Sequence, residues 1–195
     1  GTPVPTTRTR GTNYPESTGN SLQPNLQADI AYISSTLSRD NRLIYFGTSS
    51  GGFAALVSAL HSPGSMVFVS NPVVNFKIMS EPAEHYARIA WSATSESLNW
   101  NEASFRWDIV TPFESVVPVK VIYHQNPKDQ VWERWHYGTF YERCNPGNDI
   151  IFNRSDVGQG HVFPTNTWLN KVLKRMVRAT DQEEINEIGT WSLDG

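Results

Sequence analysis

A chain of 195 residues with 38% hydrophobic and 18% charged side chains can build one domain with a real core, and is too short for two comfortable ones. Its net charge of −3, with acidic and basic residues interspersed, leaves no basic stripe for nucleic acid, and no apolar run is long enough to span a bilayer. The single cysteine, Cys144, excludes an internal disulfide and agrees with a reducing, cytoplasmic compartment.

Residues 1–24 are rich in Thr, Pro, Gly, Asn and Ser and predict a loop. The opening GTPVPTTRTRG has no apolar core of the kind a signal peptide needs and reads like the interior of a longer protein. Residues 25–38 place Leu26, Ile30, Ile33 and Leu37 at helical spacing. Leu43–Phe46 predicts a short strand, and Gly51–Leu60 a helix with Phe53, Leu56, Val57 and Leu60 on one side. A second strand is expected over Ser65–Ser70, a third over Val117–Tyr123 and a fourth over Asp149–Phe152. Thr165–Arg178 predicts a closing helix with Leu169, Val172, Leu173 and Met176 aligned. The polar tail after Thr180 is expected to be loosely held. Short apolar strands alternating with amphipathic helices predict an α/β domain over residues 1–195, with a mostly parallel sheet covered by helices on both faces.

In such sheets reactive groups gather where the strands end. After the first strand comes Gly47-Thr48-Ser49-Ser50-Gly51, which fits the G-x-S-x-G elbow between strand and helix. A turn of that kind exposes the Ser49 hydroxyl at a helix start and aims the Ser50 N–H at a developing oxyanion. Ser50 is the poorer nucleophile, since the glycine frame is centred on Ser49. A serine needs a base, and His161, in a glycine-flanked loop before the last helix, is the best of five histidines. Asp129, after the third strand, would orient that imidazole. Each residue also has an ordinary reading: a glycine-rich turn, a turn aspartate, a loop histidine near a helix end. Asp156, Asp108 and Glu114 are weaker acids for the role. His124 reads as structural, and His61, His85 and His136 as solvated residues on or beside helices. Cys144 reads as a plain thiol. Neither metal-ligand spacing nor a phosphate-cradling loop is present, so no metal and no cofactor is expected.

From the loop before the first helix to its end, the chain resembles the alpha/beta-hydrolase superfamily. GTSSGG is similar to the nucleophile elbow, IYHQNPKDQV to the strand-then-acid segment and VGQGHVF to the histidine loop. RTRGTNYPESTG resembles an Arg-Gly loop found in many members, and GTSSGGFAAL resembles bacterial polysaccharide- or glycan-modifying members. The resemblance implies a serine esterase or O-acyltransferase acting through an acyl-serine, on a small-molecule or glycan ester. It also implies a lid over residues 73–116, which hold Trp91, Trp100, Trp107, Phe105 and Phe113; the alternative is that these aromatics pack a core. A complete member has strands before the elbow strand, and only 42 residues precede Leu43. The first strands and the second oxyanion donor are therefore expected upstream, and an open sheet edge could pair with a partner domain or a second copy. Two other readings stay open: a non-catalytic hydrolase-like module of a larger assembly, and a serine peptidase.

Overall fold

The computed structural model of the chain describes residues 23–37, 43–79, 85, 106–179 and 182–189. Strands β1 (Ile44–Thr48), β2 (Met66–Ser70), β3 (Lys120–Gln125) and β4 (Asp149–Arg154) form one sheet in that order, with every neighbouring pair parallel. The register pairs Gly47 with Val69, Val69 with Tyr123, and Tyr123 with Phe152, so the four carboxyl ends share one edge of the sheet. All five residues of β2, an inner strand, are buried. That burial explains why MVFVS is an apolar run without alternation.

Side chains alternate across the pleat, and two clusters result. Val67, Val69, Val121 and Tyr123 face one way, beneath Phe53 and Leu56 of α2 (Ser49–Leu60) and Phe113 of α3 (Val110–Phe113). Phe140 closes the same layer from a helical run of three pieces: α4 (Gln130–Trp132), a π turn (Glu133–Tyr137) and α5 (Gly138–Arg143). Met66, Phe68 and Ile122 face the other way, against Trp168, Val172 and Met176 of α6 (Asn166–Arg178) and Ile185 and Ile188 of α7 (Gln182–Gly189). Helices therefore cover both faces. The earlier helix α1 (Gln23–Leu37) starts within two residues of its expected position.

Local chemistry sets several boundaries. The Thr165 hydroxyl accepts the Trp168 N–H and caps α6, whose last turn carries Arg175 and Arg178 on the favourable end of the helix dipole. The third strand begins at Lys120 rather than Val117: the Val119 N–H donates to the Val117 carbonyl at 2.9 Å, a tight turn beside Pro118. The tail after Thr180 is not loose where it is described. Ile185 and Ile188 of α7 are buried against the sheet, and their three-residue spacing puts both on one face of a helix too short to stand out in a polar tail. Within the described parts of the segment expected as a lid, Ile109, Val110 and Phe113 are fully buried against the sheet, so Phe113 packs in the core as the alternative reading has it. Trp91, Trp100, Phe105 and residues 1–22 of the loop expected over 1–24, with its Arg-Gly segment, lie outside the described residues, while residues 23 and 24 belong to α1.

Among the described residues no helix is long and apolar enough to cross a membrane. Ile188→Ala removes a buried side chain from α7 and is expected to lower stability by about 2–4 kcal/mol. A urea-unfolding midpoint checks this. An unchanged midpoint would mean that α7 adds nothing to the fold.

Candidate active site

Ser49 ends the path of β1 and opens α2, and its backbone sits at φ 51, in the left-handed region. That conformation costs a non-glycine residue on the order of 1 kcal/mol or more, and it persists only when its surroundings enforce it. They do so from three sides. Behind Ser49, a Cβ on Gly47 would lie 2.1 Å from the Gly51 carbonyl oxygen, so strand and helix approach closer there than any side chain permits. Ahead, a Cβ on Gly52 would lie 2.7 Å from the Pro72 Cβ. Between them, the Ser49 carbonyl accepts the Val73 N–H at 3.0 Å.

The turn leaves the serine side chain half-buried and aimed at a histidine. Ser49 Oγ lies 3.0 Å from His161 Nε2, and His161 Nδ1 lies 2.5 Å from Asp129 Oδ2. Ser49 opens α2 directly after β1, and Asp129 and His161 come from the loops after β3 and β4, at the edge where parallel strands bring their carboxyl ends together. Asp129 is 4% exposed, and its carboxylate also caps α4 by accepting the Trp132 N–H at 3.4 Å. The Ser50 N–H belongs to the first turn of α2, where donors have no intrahelical acceptor. Rival acids are engaged elsewhere. Asp108 accepts the Val110 and Thr111 N–H groups, Glu114 pairs with Arg143, and Asp156 accepts the Gly158 N–H. Cys144 lies at the end of α5, its thiol raised by burial.

Aromatic rings pack the imidazole of His161. The Trp132 ring centroid is 3.9 Å from it and the Phe163 centroid 4.9 Å. Trp132 leads into the π turn, a feature often found at functional sites. His136, expected to be solvated beside a helix, lies within this turn. It is instead 1% exposed, and its Nδ1 accepts the Val74 N–H at 3.3 Å. Burial lowers its pKa to about 4, helped by the charge of nearby His161. His124, expected to be structural, is buried at the end of β3 between the Ser70 and Ser155 hydroxyls, and burial lowers its pKa to about 4 as well. His61 and His85 are exposed. Sequence reasoning passed over Trp132, Asn71 and Asn126. The dipeptides Asn71-Pro72 and Asn126-Pro127 after strands were the only signal, and they read as turns.

Among the described residues no group of three His, Cys, Asp or Glu side chains could hold a metal ion. Comparison with protein-family models, curated proteins and solved structures finds no match for the chain.

The two buried imidazoles give a pH dependence. Both stay neutral in the folded protein, while unfolded-chain histidines take up protons near the ordinary 6.5. The unfolded state then binds more protons, so stability is full above pH 6.5 and is lost as pH falls toward 4, on the order of 3 kcal/mol per histidine at the low end. Urea midpoints from about pH 7 to about pH 4.5 should fall throughout that window. A flat profile would contradict the neutral burial of His124 and His136.

Proposed function

We propose that the chain is a serine-dependent acyl-transfer enzyme of alpha/beta-hydrolase type, an ester hydrolase or O-acyltransferase. One observation carries the reading: the continuous hydrogen-bonded path from Ser49 Oγ through both nitrogens of His161 to Asp129. Its support is the strained serine at a helix start. An isolated hydroxyl–imidazole contact would carry less, because a third group is what fixes the imidazole tautomer.

With His161 neutral and its Nδ1–H donated to Asp129, the Nε2 lone pair faces the serine. Ser49 Oγ attacks an ester carbonyl carbon as its proton passes to Nε2. The carbonyl oxygen becomes an oxyanion and accepts the Ser50 N–H, with the positive end of α2 behind it. Collapse breaks the bond to the leaving alcohol, which takes the proton from Nε2 and leaves an acyl-serine. Water or a sugar hydroxyl then gives a proton to His161 and attacks the acyl carbon, and Ser49 leaves with that proton. Asp129 stays ionised and stabilises the imidazolium in both halves. Esters are the substrate class, and glycan esters are the narrower form that the sequence resemblance favours.

A fluorophosphonate probe should label the wild-type chain at Ser49, and Ser49→Ala should lose both the label and turnover of a p-nitrophenyl ester. Asp129→Asn leaves the wrong tautomer facing the serine and should lower kcat by about 1,000- to 10,000-fold. Turnover retained in Ser49→Ala would remove Ser49 from the mechanism. A folded wild-type chain that neither labels nor turns over would favour the non-catalytic module.

A further inference from the structure

Two loops and a strand-to-helix turn meet at the site, and loops are the least rigid part of a fold. We infer that Asn126, assisted by Asn71, is the positioning residue that holds His161 between Asp129 and Ser49. Its kinetic consequence rests on the acyl-transfer reading; the geometry does not.

Asn126 is fully buried, and each of its polar groups has a partner. Its side-chain Nδ2 donates to the Gly158 carbonyl at 2.8 Å and to the Gly160 carbonyl at 2.9 Å, which uses both amide hydrogens on the histidine loop. Its Oδ1 accepts the Lys128 N–H at 3.2 Å and the Val157 N–H at 3.4 Å. Two carbonyls on one side and two N–H groups on the other fix the orientation of the amide. Its own carbonyl accepts the Asp129 N–H at 3.1 Å. One residue therefore sets the backbone under the acid and the backbone leading into the base.

Asn71 completes the arrangement from β2. Its backbone N–H donates to the His124 carbonyl at 2.9 Å, and its Oδ1 accepts the Asn126 N–H at 2.7 Å. Its Nδ2 donates to the Val162 carbonyl at 2.8 Å. Gly160 and Val162 flank His161, so the two asparagines hold the carbonyl on each side of it. Asn71 sits at φ 42, where asparagine and aspartate are tolerated better than other side chains. The next residues, Pro72 and Val73, press on the serine turn. All three members of the path are thus referred to the same pair of amides.

Asn148 provides a matched control at the amino end of β4. Its Nδ2 donates to the Phe113 and Ser115 carbonyls at 2.8 and 3.0 Å, and its Oδ1 accepts the Val117 N–H at 2.8 Å. It makes the same chemical staple away from the site.

The test compares Asn126→Ala, Asn71→Asp and Asn148→Ala in the full chain, by two readouts. The first is the downfield proton NMR resonance of an imidazole N–H held by a carboxylate, assigned to His161 by its loss in His161→Ala. It should vanish or broaden in Asn126→Ala and Asn71→Asp and persist in Asn148→Ala. The second is ester turnover. In the first two variants kcat should fall by about 10- to 100-fold with little change in KM, since misplacing a group by about 1 Å has effects of that order. Asn148→Ala should lose stability and keep kcat. A resonance unchanged in folded Asn126→Ala or Asn71→Asp overturns the inference, and so does an equal loss in Asn148→Ala. If Asn126→Ala fails to fold, Asn71→Asp decides: aspartate tolerates the left-handed backbone and keeps an oxygen for the Asn126 N–H, while it replaces the donor to Val162 with an oxygen facing that carbonyl. A wild-type chain without turnover defeats the acyl-transfer reading alone, and the resonance then decides the positioning role by itself.

Discussion

The left-handed backbone at Ser49 is the constraint on which the site depends. A serine at φ 51 reverses the chain between β1 and α2 within one residue. The reversal stands the hydroxyl above the sheet edge and starts a helix beneath it. The energy stored there is small, but a relaxed turn would move the hydroxyl off the line to His161. Three contacts keep it from relaxing: the close approach at Gly47, the Gly52–Pro72 packing and the Val73 N–H on the Ser49 carbonyl. The last two rely on β2 lying beside β1 in register, because Pro72 and Val73 follow Asn71 just past the end of β2. The parallel sheet is thus part of the site's geometry as well as its platform.

Charge around the path is kept scarce. His136 lies close enough to His161 to feel its charge, and burial holds it neutral near physiological pH. A neutral neighbour adds no positive charge beside an imidazole that, in the proposed chemistry, must take up a proton. His124 is neutral for the same reason and joins the Ser70 and Ser155 hydroxyls across the ends of β2, β3 and the segment after β4. Of the ion pairs nearby, Lys128 reaches Asp156 at 3.9 Å with both side chains about half exposed, and a pair so exposed contributes little to stability; Arg154 pairs with the partly buried Glu133. Asp129 is the buried carboxylate that pairs with His161.

Much of this was legible in the sequence because it rests on local signals. Strand runs such as MVFVS and VKVIY are continuous where both faces are covered, and the glycine frame around Ser49 marks the turn that positive φ requires. The order of strands and the residues that follow them brought Ser49, Asp129 and His161 into view together. What was not legible depends on tertiary context. Nothing in ERWHY announces a π turn or the burial of His136 within it. Ile185 and Ile188 look isolated in a polar tail until a sheet face is there to receive them. Ile109 and Val110 lie buried in a segment expected as a lid, whereas the burial of Phe113 there matches the alternative reading in which the aromatics of that segment pack a core. Asn71 and Asn126 read as turn formers, which they are, but their side chains act across 91, 55, 32 and 34 residues of sequence, and no local pattern encodes that reach.

The use of amides for that reach has a physical logic. The segments to be joined offer backbone carbonyls on one side and backbone N–H groups on the other. A carboxamide matches both with one planar group and brings no charge. A lysine could donate to Gly158 and Gly160, but it would set a buried positive charge beside the Asp129–His161 pair and compete for the carboxylate. An aspartate could accept from Lys128 and Val157, but it would turn oxygens toward two carbonyls and add a negative charge near Asp129. Either ion would also carry a desolvation penalty of several kcal/mol at a fully buried position. A hydroxyl has only one proton for two carbonyls. A carboxamide therefore fits the hub position, and the proposed positioning of His161 comes with no added charge.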